Sequence, residues 1–280
     1  MRIPIPVEIE KVLYVEADIQ APDVDCIAQT KSMAEDGRFF PAMRLFATGC
    51  VKSFTTDGGK IIDDPVSIKS IIPKLYLRNV DFIVIQSLLL DNPDDDGIEG
   101  YYKCPRCGTE NIAEYKDDDG VIVDTRDHIK ELKVGFFDPY SDSYDIHVDL
   151  TEPVVIKDKG DNEVFLQIEN FDVAIPTLEN CIVAESKVGT KDHIKLQLAI
   201  YVEAMKKVNG ESIDNKFKNE FGVFFMGKIR KVGKDLAKLS DGINKYGVDR
   251  RVDKECRKCG KKWRPIVSTS NFFDGTPLAF

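Results

Sequence analysis

Two short cysteine motifs, YYKCPRCGTEN at 101–111 and DKECRKCGKKWRP at 253–265, constrain this 280-residue chain more than any other feature. Each has the form of a zinc knuckle: a CxxC turn followed by glycine, in which backbone N–H groups point at the thiolates. Neither can close a four-ligand site alone. The histidine nearest the first pair is His128, and the second has none within sixty residues. The economical solution is mutual completion, with Cys104, Cys107, Cys256 and Cys259 forming one four-cysteine zinc site, a split zinc ribbon. Iron suits four thiolates as well, and the metal is left open between the two. Rival readings are a redox CxxC or unpaired structural cysteines. Against the first, neither pair lies in a βαβ pattern.

Joining the pairs closes a loop of roughly 150 residues, at a chain-entropy cost on the order of 4–5 kcal/mol. Structural zinc contributes about 10–16 kcal/mol in small peptides, which offsets that closure. The end of the chain must then return to the start of its β region. Four thiolates leave no open position for water, so a metal held there is expected to be structural rather than catalytic. The other three cysteines, Cys26, Cys50 and Cys181, stand among apolar neighbours and read as buried packing. An odd total of seven is a poor disulfide framework and fits a reducing compartment.

The pattern along the chain is α+β: a helical N-terminal part, a central antiparallel β region, C-terminal helices and the split ribbon. After a strand-like start from Val7 to Val15, residues 24–54 read as two helices separated near Gly37, with Pro41 suited to a first helical position. Asn79 can cap a third, Val80 to Leu90, apolar nearly all round and therefore buried. From Tyr101 to about Ile175 come Val/Ile/Phe-rich runs. The last two, 152–157 and 163–168, are separated by a hairpin loop at 158–162. Ile194, Leu198, Tyr201, Val202 and Met205 mark a helix behind a Thr190 cap, stopped by Asn209-Gly210. Phe217, Phe221, Phe224, Phe225, Ile229, Val232, Leu236 and Leu239 form a longer apolar stripe. The organisation expected is a mainly helical region at 1–95 and a zinc-closed β-plus-helix region at 96–280, forming one integrated unit.

Charge and motif searches narrow the chemistry. The 42% hydrophobic content is too high for a disordered chain. There is no basic-then-apolar leader and no apolar run of bilayer length, so a cytoplasmic protein without a membrane partner is expected. The net charge of −9 is uneven: residues 214–264 hold 16 Lys/Arg against 7 Asp/Glu, leaving −18 on the rest. That basic stretch supports an alternative, a zinc-ribbon nucleic-acid-binding factor using Lys254, Arg257, Lys258, Lys261, Lys262, Trp263 and Arg264. A solvated helix face, or an acidic protein partner, explains the same charges without nucleic acid, and Trp263 fits the apolar plug of a ribbon hairpin. Asn92, Asp94, Asp96 and Gly97 begin like a calcium loop, but Lys103 stands where a bidentate Glu is needed. Phosphate-loop, serine-elbow and HExxH patterns are absent, and GGK at 58–60 and VGTK at 188–191 lack the spacing. His128, His147 and His193 each lie near an Asp, which leaves a hydrolase or transferase centred on His128 or His193 as a third reading.

The order of these features resembles a known group. A helical start, DFIVIQSLLL, CPRCG, strands ending in LQIENFDVAIPT, two helices and a terminal CRKCGKKW followed by SNFFDG are similar to the baseplate hub and tail-assembly proteins of contractile-tailed phages, of the T-even-like baseplate hub family. The resemblance spans roughly residues 75–275. It implies a non-enzymatic structural protein, with the four knuckle cysteines as metal ligands and Phe272 and Phe273 as a packing contact. Its implied partners are other hub or tail proteins and further copies of itself, with nucleic acid not among them. The implied location is the host cytoplasm during assembly and then the virion tail or baseplate. The acidic insertions 91–97 and 117–120 and the basic stretch before Cys256 depart from the family pattern.

Overall fold

Glu10 and Lys11, both at positive φ (53° and 66°), reverse the chain between β1 (Arg2–Ile9) and β2 (Val12–Ile19). Two consecutive left-handed residues make the primed turn whose twist matches a hairpin, usually supplied by Asn-Gly. Where one strand from Val7 to Val15 was expected, there are two, because this turn carries neither residue. The computed structural model describes residues 1–91, 98–100, 104–109, 114–116, 122–124, 127–129, 133–135, 145–157, 164–228, 234–235, 237, 239–240, 242–243, 247–249, 253–256 and 258–263. Among these it is α+β, with seven helices and two four-stranded antiparallel sheets.

Asp23 caps α1 (Val24–Glu35), its carboxylate accepting the Cys26 N–H at 2.6 Å, and Gly37 at φ 75° leads into α2 (Phe39–Cys50). The helix pair is as expected, but α2 stops at Cys50, and β3 (Val51–Thr56) joins β2 instead of extending the helix to Phe54. Pro41 is the third residue of α2, still in the first turn, where a missing N–H costs no intrahelical bond. A two-residue β4 (Ile61–Ile62) completes the first sheet in the order β1-β2-β3-β4. It is followed by α3 (Pro65–Ile71), short enough to have escaped sequence reading, with Asp64 as its cap. The buried helix α4 spans Leu77–Asp91. It starts earlier than an Asn79 cap would place it, because the Tyr76 carbonyl accepts the Asn79 and Val80 N–H groups. Asn79 lies inside the helix.

The second sheet runs β10-β11-β12-β13, built from β10 (Ile146–Lys157), β11 (Val164–Val173), β12 (Met205–Val208) and β13 (Glu211–Ser212). The antiparallel pairing of β10 and β11 is the hairpin expected there, and its loop lies outside the described residues. Thr177 caps α5 (Leu178–Val188) in a reciprocal box with Asn180. Asp192, not Thr190, caps α6 (His193–Ala204), and the Thr190 hydroxyl instead donates to the Gly37 carbonyl. Met205 leaves that helix to pair with Val173 in β11. Asn209-Gly210, at φ 50° and 80°, is consequently a hairpin turn rather than a helix stop. The Asn209 side chain also accepts the Glu169 N–H and donates to the Gln167 carbonyl, holding β11 to the turn. The aromatic stripe begins in α7 (Asn215–Gly227). Leu239 is buried, whereas the side chains of Phe221, Phe224 and Phe225, and residues Ile229, Val232 and Leu236, lie outside the described set.

Two apolar clusters hold these layers together. The first joins Ile3, Ile5, Phe40, Phe46, Phe54 and the inner face of α4 to Leu178, Cys181, Leu196 and Ile200 of α5 and α6. The second lies under the β10–β13 sheet and includes Ile168, Phe171, Tyr201, Met205, Leu239 and Ile243. The Leu77 N–H donates to the Pro176 carbonyl and the Leu178 N–H to the Leu75 carbonyl, so the starts of α4 and α5 lie side by side. Farther along α5, both carboxylate oxygens of Glu185 accept the N–H groups of Phe39 and Phe40 at 2.6 and 2.8 Å. These are orphan donors at the start of α2, which has no cap of its own from Arg38.

Four short strand pairs remain among the described residues. β5 (Ile98–Gly100) pairs with β8 (Asp127–Ile129), and β6 (Glu114–Lys116) with β7 (Ile122–Asp124). β9 (Lys133–Gly135) pairs with β14 (Gly247–Asp249), and β15 (Lys254–Glu255) with β16 (Lys262–Trp263). β14 also runs against α4, which returns the C-terminal part of the chain to the region just before the first knuckle. Among the described residues no helix is long and apolar enough to cross a membrane. Residues 92–97, 117–120 and 264–280, including Arg264, Phe272 and Phe273, lie outside the described set.

Candidate metal centre

The two knuckles fold alike, bond for bond. In the first, the Cys104 N–H donates to the Thr109 carbonyl at 2.8 Å and the Gly108 N–H to the Cys104 carbonyl at 3.0 Å. In the second, the Cys256 N–H donates to the Lys261 carbonyl at 2.9 Å and the Gly260 N–H to the Cys256 carbonyl at 2.8 Å. Gly108 and Gly260 take φ of 71° and 66°, which explains the glycine after each second cysteine: a Cβ there would be strained. The second turn is framed by β15 and β16, with Lys254 opposite Trp263 and Glu255 opposite Lys262.

All four sulfurs lie within 4.8 Å of one another and could hold a metal ion. Cys104 Sγ is 3.7 Å from Cys259 Sγ, and Cys107 Sγ is 3.5 Å from Cys256 Sγ. Tetrahedral zinc with bonds of about 2.3 Å would set its sulfurs about 3.8 Å apart, so both the donor set and the spacing fit. Cys104 and Cys256 are buried, Cys259 is half-buried and Cys107 is exposed. Of the isolated cysteines, Cys50 and Cys181 are buried as expected, but Cys26 is only half-buried, because α1 lies on the surface.

The thiols differ in acidity for reasons visible in the turns. The Thr109 hydroxyl, 3.1 Å away, and the Thr109 N–H lower Cys107 to about 6. Burial pushes Cys104 up, but the N–H groups of Cys107 and Arg106 outweigh it and hold the thiol below its ordinary value. Cys259 is pushed up to about 12: the Lys261 N–H lowers it, but burial and the three neighbouring sulfurs prevail. Four like charges cannot gather here unaided. A divalent cation reverses the balance, and because it displaces protons its binding weakens as pH falls.

Lys258, Lys261 and Lys262 are exposed, with Lys262 facing Glu255 at 3.5 Å, and Trp263 is half-buried. The side chain of Lys254, and the whole of Arg257, lie outside the described residues. His128 is in β8 and His193 opens α6, but the side chains of both fall outside the described set. His147 is different. Its Nδ1 lies 2.6 Å from Asp172, its cross-strand partner, and its Nε2 lies 3.1 Å from Asp149. Asp149 was visible as a sequence neighbour, but Asp172 needed the strand register.

The Asp172 carboxylate, more than Asp149, raises the His147 pKa. A raised histidine stabilises the fold below its unfolded value, near 6.5, and that increment disappears as pH climbs through the folded value. Because the ring is half in solvent, the expected effect is under about 1 kcal/mol. His147→Gln should therefore be less stable than the parent in urea titrations near pH 5.5 and equal to it near pH 9. A constant difference across that range would refute the pairing.

Comparison of the chain with protein-family models, with curated proteins and with solved structures found no match.

Proposed function

We propose that this chain is a non-enzymatic structural or assembly protein in which zinc, held by Cys104, Cys107, Cys256 and Cys259, pins the C-terminal part of the chain to the region after α4. The observation that carries the reading is the convergence of two like-folded knuckles, 149 and 155 residues apart between their facing sulfurs, on one site of four thiolates. Such a shell has no open coordination position and therefore suits a scaffold better than a reaction. When bound, zinc supplies four strong bonds and neutralises part of the thiolate charge. The turns hold the sulfurs in place through their backbone bonds.

The setting that best accommodates such a scaffold is the tail baseplate hub of a contractile-tailed phage, supported by the order of motifs described above. The exposed faces of the pinned unit would dock other hub or tail proteins, or further copies of the chain. The test has two parts. Metal analysis of the purified protein should give one zinc per chain rather than iron, and co-expression with tail proteins encoded beside it should yield a complex or a symmetric oligomer. A monomer indifferent to all of them would sink the baseplate reading while leaving the metal centre standing. The exposed Lys258 and Lys261 favour the alternative, a nucleic-acid-binding ribbon, only if binding is measurable at about 50 mM salt and falls steeply as salt rises.

A further inference from the structure

We propose that the two knuckles are built to exchange their metal for two covalent cross-links, Cys104–Cys259 and Cys107–Cys256, when the protein meets a peroxide. The inference rests on the four-thiolate centre proposed above and extends it to a change of state. Two sulfur contacts, 3.7 Å for Cys104–Cys259 and 3.5 Å for Cys107–Cys256, run from one knuckle to the other within a cluster whose four sulfurs all lie within 4.8 Å. A disulfide needs its sulfurs about 2.05 Å apart, so each pair must close by roughly 1.5 Å.

Exposure sets the order of events. Cys107 is the exposed ligand, whereas Cys104 and Cys256 are buried, so peroxide reaches Cys107 first. Its thiolate attacks the O–O bond, forming a sulfenic acid and releasing hydroxide. The Cys256 thiolate then attacks that sulfur and expels a second hydroxide as the S–S bond forms. The half-buried Cys259 repeats the sequence with Cys104. In all, four thiolates give four electrons to two peroxide molecules, yielding two disulfides and four hydroxides, and the divalent ion loses its ligands.

The pairing matters because it decides what happens to the loop. Cross-links between knuckles keep the two distant segments joined after metal is gone, so an easily exchanged pin becomes a permanent one. Disulfides within each CxxC would release them. A protein that is assembled under reducing conditions and later meets oxidising ones would keep its shape throughout.

The test uses the full chain, with its metal content measured beforehand. Hydrogen peroxide is added in the presence of a zinc-sensitive dye, and the disulfides are mapped by non-reducing peptide mass spectrometry. Unfolding is then followed in excess EDTA, with untreated protein alongside. Expected are release of the ion, peptides joining Cys104 to Cys259 and Cys107 to Cys256, and a cooperative transition in EDTA that the untreated protein has lost. Disulfides joining Cys104 to Cys107 and Cys256 to Cys259, or sulfonic acids, would overturn the proposal. A preparation without metal would count against the zinc reading, while the disulfide map would still decide the cross-linking.

Discussion

Cys256→Ser, Cys259→Ser protein should purify without metal and lose cooperative unfolding of everything that the knuckles hold in place. Structural zinc contributes about 10–16 kcal/mol in peptides. A whole domain is stable by only about 5–15 kcal/mol, so the loss is of the same size as the stability itself. The effect should be regional. β14, its partner β9, and the buried Leu239 and Ile243 all depend on the return of the C-terminal segment, whereas the first core closes within residues 3–200. Hydrogen exchange is the readout: protection should vanish at 104–109, 133–135, 247–249, 253–256 and 258–263 and persist in β1 to β3. Acidification of the parent should reproduce the pattern, because protons compete for the thiolates. Uniform protection in the variant, or metal retained by it, would remove the pin from the account.

Glu185→Ala should destabilise the fold strongly. It strips the acceptors from the Phe39 and Phe40 N–H groups at the start of α2, in a site where Glu185 is only 7% exposed. Each unsatisfied buried donor costs roughly 1–3 kcal/mol, so for the two a loss of about 2–6 kcal/mol is expected. Chemical denaturation measures it directly. Burial raises the Glu185 pKa, and the two N–H groups and Arg38 only partly oppose it. The folded protein therefore holds this proton more tightly than the unfolded chain does. Stability from this group falls as pH rises from the ordinary carboxyl value near 4.5 through the raised one. Glu185→Gln should flatten that slope while keeping one acceptor, and an unchanged slope would show that the carboxyl is not the titrating group.

Neither partner of that contact announces itself in the sequence, since Glu185 lies 146 residues from Phe39. The same limit explains the hairpin at Glu10-Lys11, a turn without its usual residues, and Met205, whose helical spacing gave way to pairing with Val173. Local periodicity proposes a conformation, and a neighbouring strand with free hydrogen-bonding groups can overrule it. Asn79 failed as a cap for a similar reason: the helix could begin at Leu77 because the Leu77 N–H finds the Pro176 carbonyl just before α5.

What the sequence determined by itself is what short-range chemistry fixes. The CxxCG spacing dictates the knuckle turn, its positive-φ glycine and a pair of thiolates, and the all-round apolar stretch before the first knuckle dictates a buried helix. Cysteine spacing made mutual completion of the two knuckles the economical solution, and the four sulfurs do gather at one place. Tertiary structure decided which sulfurs face which, which thiol stays exposed, and how α2 is capped. Those properties depend on distances between segments more than a hundred residues apart, which packing sets and local sequence does not encode.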